Sequence, residues 1–467
     1  MKKYILYSLV VVSFLTSCES DITSLNNDPK SAQEIPSSFA FASGQYDLAN
    51  ALFDPGTQAS GFPFLIEHQA ETTYVTPSRF LLNSNSTNMW DRVYVRGLKM
   101  LDNSKNILSK EFDAGNEVGR NKLAMIEILS CYGFKSLVDT YGDIPYTEAL
   151  QQENKISSPK YDDARTVYTA LISRLDNAIG SITTSSGGYT QDFFYKGDMS
   201  KWKKLANSIK LSFGINLADV DPALSKKIVE EAYASGVMTS NADNAVYSYD
   251  GASYKNPYSV TREDIVASKI LVDQLKQSND PRLAKYFSTV NGNYVGGVFG
   301  NQNNYKTTST FSASVSATTA RGLFFDYSQV EFLLAEGAAR GYNVGSAATH
   351  YKNAIAASMD YWGVAAADRD AYIAANPYNS AGNFKQQIGA QVWVSGYTNG
   401  YFVWNSVRRL NYPSLPVPPT SQLSGYPIRL PYPDGEQNLN NVNWTAAVSK
   451  IPGGRDVATA PVFWDKN

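Results

Sequence analysis

The chain has 467 residues, 43% of them hydrophobic and 18% charged, with a formal net charge of −2. That is apolar material enough for one large domain or two or three small ones, and the absence of any basic run or stripe argues against nucleic-acid binding, which needs clustered Lys and Arg. Two histidines and two cysteines, with no HExxH, CxxC or His/Cys cluster, argue against a zinc site and leave little room for Ser/His catalysis; no cofactor is expected.

The chain opens "MKKYILYSLVVVSFLTSCES". Lys2 and Lys3 precede an apolar run from Tyr4 to Leu15, then small residues, which are the three parts of a secretory signal. The run is shorter than the ~20 apolar residues of a membrane-spanning helix. "LTSC" (Leu15 to Cys18) resembles the bacterial lipobox. On that reading residues 1–17 are a signal peptide, Cys18 is the lipidated mature N-terminus, and 18–36 form a polar tether. A secreted protein with a Cys beside its cleavage site is the alternative. The body, residues 37–467, is expected to be a single domain.

Helical periodicity dominates the first half. Cys131 lies in "LAMIEILSCYGFKSLVDTYG", among apolar residues at helical spacing, and is expected to be a small buried hydrophobe rather than a reactive thiol. In "DDARTVYTALISRLDNAIGSI" Tyr168, Leu171, Ile172, Leu175, Ala178 and Ile179 recur at three and four, with Asp162 or Asp163 as N-cap. "SKWKKLANSIKLSFGINLADV" puts Trp202, Leu205, Ile209, Phe213 and Leu217 on one stripe. Asp221 and Pro222 open the next helix, closed by Gly236. "YSQVEFLLAEGAARGY" and "AATHYKNAIAASMDYWG" form a further pair, in which Ala335, Ala338, Ala339, Ala354 and Ala357 allow close approach. Such pairs resemble tetratricopeptide-type (TPR-like) stacking, without a fixed repeat. The predicted class is mostly α, with TPR-like helix pairs, long irregular loops and few short strands. The loops "DGASYKNPYSVTRED" and "STVNGNYVGGVFGNQNNYKTTSTFSASVSATTARG" are rich in Asn, Gly, Ser, Thr and aromatics, and loops this long are usually functional or disordered. The part after about 364 is predicted to be mostly irregular.

"LVDTYGDIPYTEAL" is the most specific stretch. Its Tyr141-Gly142-Asp143-Ile144-Pro145-Tyr146 resembles a hallmark of SusD/RagB-like outer-membrane lipoproteins. Gly142 and Pro145 interrupt a helix there, and Asp143 can satisfy exposed backbone amides. "NNDPKSAQEIP", "YKGDMSKWKKLANSIKLSFGINLA", "NDPRL" (279–283), "AEGAARG" (335–341), "VWNSVRRLNYPSL", "RLPYPDGEQNLNN" and "GGRDVATAPVFWDKN" follow in the order of SusD-like family two. The resemblance implies a lipid-anchored protein, exposed on the outer membrane, that acts as the lid of a SusC-like TonB-dependent transporter. Its ligand would be an oligosaccharide or a peptide.

Sugars are bound by aromatic rings flanked by planar hydrogen-bonding groups. The resemblance implies that the ligand site comes from the loop before an early helix and from loops of the second half. The candidates are Tyr74, Arg79 and Phe80 in the first, and Tyr254, Tyr258, Tyr294, Phe299, Tyr305 and Phe311 in the second. Trp90 shares a helical stripe with Tyr94, Leu98 and Leu101 and is expected in the core. Trp362, Trp393, Trp404 and Trp464 fall in segments that read as structural. Arg408 and Arg409 are expected to hold the C-terminal layer through ion pairs. Among rival readings, a glycosidase would need a pair of carboxylates such as Asp143 and Glu148, but their turn context accounts for them without catalysis. A non-transport adhesive or structural lipoprotein is the other rival.

Overall fold

Several helix starts in the computed structural model are set by a short polar side chain on the preceding residue. The structure describes residues 35–55, 61–113, 115–151 and 154–467; the signal segment, Cys18 and all but the end of the tether lie outside them. Helix α1 (Ser37–Leu52) is followed by α2 (Asn83–Asp91), a π-helical segment (Arg92–Leu98), and α3 (Lys99–Glu111). The long helix α4 (Glu117–Tyr141) is capped by Asn116 and α5 (Ala164–Ser181) by Asp163, whose carboxylate accepts from Thr166 N at 2.8 Å. Next come α6 (Met199–Asn216), capped by Asp198, and α7 (Pro222–Ala234), capped by Asp221 with Pro222 in its first turn. After α8 (Lys269–Gln277), α9 (Tyr327–Ala339) is capped by Asp326 and is followed by α10 (Ala347–Tyr361).

The pairs α4/α5, α6/α7 and α9/α10 pack helix on helix, as expected from the sequence. Ala335 and Ala354 are fully buried, and the close approach of α9 to α10 lets the Ser328 hydroxyl donate to the Ala354 carbonyl at 2.8 Å. Glycine does the same work where α1 crosses the π segment. A Cβ on Gly44 would stand 2.9 Å from the Gly97 carbonyl oxygen, closer than such contacts allow.

Among the described residues the strands are short and make three two-stranded antiparallel ribbons: β1 (Gln69–Glu71) with β5 (Ile265–Ala267), β2 (Ile144–Pro145) with β3 (Tyr161–Asp162), and β4 (Ala245–Tyr247) with β6 (Gly322–Phe325). The part after 364 departs from expectation. It holds α11 (Ala366–Ala375), α12 (Phe384–Ser395), α13 (Gly400–Leu410), α14 (Asp434–Leu439) and α15 (Asn441–Val448). Every residue of α13 is buried.

Residues 37–467 make one compact unit. At its centre the Asp139 carboxylate accepts from Lys135 Nζ (2.6 Å), Tyr401 Oη (2.7 Å), Trp464 Nε1 (2.8 Å) and Tyr168 Oη (3.2 Å). Such a buried charge is tolerable only because it is paired and saturated with donors. Arg409 forms the expected ion pair, with Glu336 at 3.0 Å. Arg408 does not. Its guanidinium lies 3.7 and 4.6 Å from the ring centroids of Trp404 and Trp464 and donates to the carbonyls of Asp139 and Ile428. It holds the C-terminal layer by stacking, as a planar, weakly hydrated cation can. Cys131 is fully buried, and burial pushes its thiol up to about 12, so it is an inert core residue.

Candidate ligand-binding site

The signature around residue 143 is architectural. Gly142 takes φ 88° to end α4. Asp143 accepts the Ala164 amide at 2.8 Å at the start of α5, and Glu148 accepts the Lys160 amide at 2.9 Å. Both carboxylates are thus committed to backbone.

The ribbon β1/β5 brings the two halves of the candidate site together. Its register pairs Gln69 with Ala267 and Glu71 with Ile265, so the loop that leaves β1 runs beside the loops that follow β5. The Glu71 carbonyl receives Asn303 N (3.1 Å) and Asn303 Nδ2 (2.8 Å), and the Thr73 carbonyl receives Gln302 Nε2 (3.2 Å). A third segment joins at Gly300, whose carbonyl accepts from Arg79 Nε at 2.9 Å and Thr420 Oγ1 at 3.0 Å. Gly300 takes φ 75°, and a Cβ there would stand 2.8 Å from Pro418. Glycine is what lets the three segments converge.

Beside this junction is a cleft of about 350 Å³. Phe299, Val298, Ile270, Val417 and Pro416, Pro418 and Pro419 supply apolar walls and Lys269 and Asp273 a charged edge, and Glu67 and Ser268 lie behind it, almost wholly enclosed. Lys269 and Asp273 are ion-paired to each other. Glu67 takes φ 53°, a left-handed conformation that is uncommon for a residue other than glycine. Its side chain is buried, and neither its Oε1 nor the Ser268 hydroxyl has a hydrogen-bond partner among the described residues. Each such orphan costs about 1–3 kcal/mol unless something fills it. Burial raises the Glu67 carboxyl to about 8, holding it neutral at and below neutral pH. The neighbouring His68, packed edge-on against Trp393 and tilted against Tyr397, is driven down to about 3 by the same desolvation and is neutral too.

The sequence candidates divide. Tyr74 is 69% exposed on the loop after β1, and Arg79, Phe299, Tyr294 and Tyr305 are half-buried in the converging loops. Phe299 lies in the cleft wall, 5.7 Å centroid to centroid from Phe80. Tyr254 is partly exposed but belongs to another cluster, with Tyr46 at 5.1 Å and Phe193 at 6.1 Å. Phe80, Tyr258 and Phe311 are corrections. They are 2%, 1% and 9% exposed, packed within the core, and an enclosed ring has no face to offer a sugar. Tyr258 fits against Phe53 and Phe311. Trp90 is buried among Tyr94, Tyr141, Tyr161 and Tyr432, although its edge reaches a second cleft of about 430 Å³. That cleft is larger, but polar groups on its walls are already engaged: Tyr94 Oη donates to the Pro145 carbonyl and Glu436 accepts from Tyr161 Oη at 2.6 Å. It offers a ligand less. Sequence reading missed Glu67, Ser268 and the 416–419 segment. The only signals for them were the run "EHQAE" ahead of the early loop and the stiff "PVPP".

Among the described residues no group of three His, Cys, Asp or Glu side chains could hold a metal ion.

A family model described as SusD-like family two, starch-binding and associating with outer membrane, matches residues 29–433. No curated protein matches the sequence. Among solved structures, one named a chitin-binding protein is 30% identical, covering 92% of this chain and 99% of its own, with a TM-score of 0.79. A SusD homologue from Bacteroides uniformis is 27% identical over 92% of this chain and 100% of its own, TM-score 0.78. A chitin-binding SusD homologue from Flavobacterium johnsoniae, 24% identical over 92% of this chain and 99% of its own, has the same fold, TM-score 0.79.

Proposed function

The chain belongs to the SusD-like family of starch-binding proteins that associate with the outer membrane, and from that premise we propose that it is a cell-surface lipoprotein that captures an oligosaccharide and passes it to a SusC-like TonB-dependent transporter. Cys18, in "LTSC", is the anchor in this reading. No described helix is long and apolar enough to cross a membrane, so the proposal assigns attachment to acyl chains, each buried CH2 adding about 0.8 kcal/mol. The carrying observation is the cleft beside the junction of three loops at Gly300, where the half-buried Phe299 ring lies near the charged edge made by Lys269 and Asp273. An accessible apolar ring next to hydrogen-bonding side chains suits a sugar, which has a C–H face and a hydroxyl rim.

Tyr74 and Arg79 form the outer part of this site, with Tyr294 and Tyr305 on the facing loop. The chitin-binding relatives put oligomers of N-acetylglucosamine first in a ligand panel, with malto- and cello-oligosaccharides beside them. Calorimetric titration of the mature protein should detect one of these classes. Phe299→Ala should weaken it by about tenfold, the loss of roughly 1–2 kcal/mol of stacking and apolar contact. Tyr254→Ala, in its separate cluster, should leave affinity unchanged. A protein that binds no glycan of the panel, or loses affinity through Tyr254 and not Phe299, would refute this reading.

A further inference from the structure

One side chain beside the cleft is bonded far beyond what its place in a loop requires. Asn303 Oδ1 accepts the Val298 amide at 2.7 Å, and Asn303 Nδ2 lies 2.8, 2.9 and 3.1 Å from the carbonyls of Glu71, Asn301 and Val298, which share its two hydrogens. Its own backbone N–H donates to the same Glu71 carbonyl at 3.1 Å. A backbone N–H can only donate and a carbonyl can only accept, so these partners fix which way the side-chain amide faces. The chain nearby makes room for it: a Cβ on Gly297 would stand 2.8 Å from Asn303 Cγ. The loop 298–303 is thus closed on itself and fastened to the end of β1 by one half-buried asparagine. That loop carries Phe299 and Gly300. The Phe299 ring has no polar atom to hold it, so the loop backbone, with the Phe80 contact, sets where it stands in the cleft wall.

We propose that Asn303 is the positioning residue of the site: without touching the ligand, it holds the Phe299 ring in the geometry on which a sugar stacks. This rests on the glycan-binding reading above and adds what orders the platform before the ligand arrives. A loop already ordered spares the ligand the cost of ordering it, which would otherwise come out of the affinity. Charged groups on the elements packed against the loop are engaged with other partners. Glu71, which feels Asp264, is bonded to the Ser78 amide and hydroxyl, Arg79 Nε to the Gly300 carbonyl, and Lys269 to Asp273. The fastening of the loop therefore falls to the neutral amide of Asn303.

The test is a double-mutant cycle read by calorimetry on the mature protein, with N-acetylchitotetraose, maltotetraose and cellotetraose as probes, and hydrogen exchange measured on the same proteins. Asn303→Ala should weaken binding about tenfold, as Phe299→Ala does. The two changes together should weaken it no more than either alone, because Asn303 acts through the ring. Asn303→Asp keeps the acceptor for the Val298 amide but turns a second oxygen toward three carbonyls. It should bind weakly at pH 8 and recover as pH falls toward 5, where its carboxyl gains a proton to donate, and by more than any change the wild type shows. Amides of the loop should exchange faster in Asn303→Ala while those of α4 stay protected. Additive losses, undiminished affinity in Asn303→Ala, or no acid recovery in Asn303→Asp overturns the positioning role and leaves glycan binding standing. Unchanged exchange in the loop overturns the role of Asn303 as its fastener, whether or not a glycan binds. Binding of none of the three probes by the wild type overturns the glycan reading and the positioning role together.

Discussion

Burial of titratable side chains beside the cleft has a cost in stability that depends on pH. The folded protein holds the Glu67 carboxyl up to about 8 and the Glu71 carboxyl up to about 7, both chiefly through desolvation. Unfolded, each titrates near 4.5. The folded state therefore keeps protons that the unfolded chain releases, and stability falls as pH rises from about 4.5 through 7 to 8. His68 has the opposite sign. Its folded value of about 3 lies below its ordinary 6.5, so stability is lost as pH falls through that window. Glu67→Gln should flatten the alkaline limb of a urea-derived stability profile and leave the acid limb in place; an unchanged alkaline limb would show that Glu67 is not buried as a neutral acid. At this scale the sequence was only partly legible. Aromatic content marked loops that meet beside the cleft, but whether a given ring faces outward is decided by tertiary neighbours. Phe80 and Phe299 touch each other, and only one of them reaches the cleft. The polar anchors were less visible still, because a buried carboxyl without a partner has no local pattern.

At the scale of elements, capping and periodicity carried most of the reading. Asp163 and Asp221 cap α5 and α7 where side-chain chemistry places them, and the α6/α7 and α9/α10 pairs follow their stripes. What failed was α12 and α13. Both are short, of 12 and 11 residues, and lie among stretches rich in Pro, Asn and Tyr whose turn formers mask them. Helix crossings give a direct check on packing. Gly44→Ala forces a methyl against the Gly97 carbonyl and Leu101 and should destabilise the protein by about 1–3 kcal/mol. At Gly180, near the end of α5, an added methyl would meet nothing within 4 Å. Gly180→Ala should accordingly be neutral or stabilise by about 0.5–1 kcal/mol through helix propensity. Denaturant midpoints should fall clearly for Gly44→Ala and hold or rise for Gly180→Ala; an equal fall in both would contradict the crossing geometry.

At the scale of the whole molecule, long-range bonds tie the candidate ligand loops and the chain's end to one helical body. Trp464 reaches Asp139 in α4, and the Asn467 amide bonds the carbonyls of Arg408 and Arg409. The candidate loops are stitched across long separations too, Arg79 to Gly300 and Thr420 to Gly300. Such contacts were beyond local pattern. The family resemblance, carried by an ordered set of motifs, reached the fold that periodicity alone left as unassembled pairs. The same resemblance supplies the transporter, which no surface residue of this chain names. The central claim, capture of a glycan for a partner barrel, is tested most directly by purifying the native protein from detergent-solubilised outer membranes and identifying by mass spectrometry what comes with it. A TonB-dependent barrel in near-equal amount, with an oligosaccharide in the complex, is the result expected. Recovery of the protein alone, or with a partner that is not a transporter, would contradict the account.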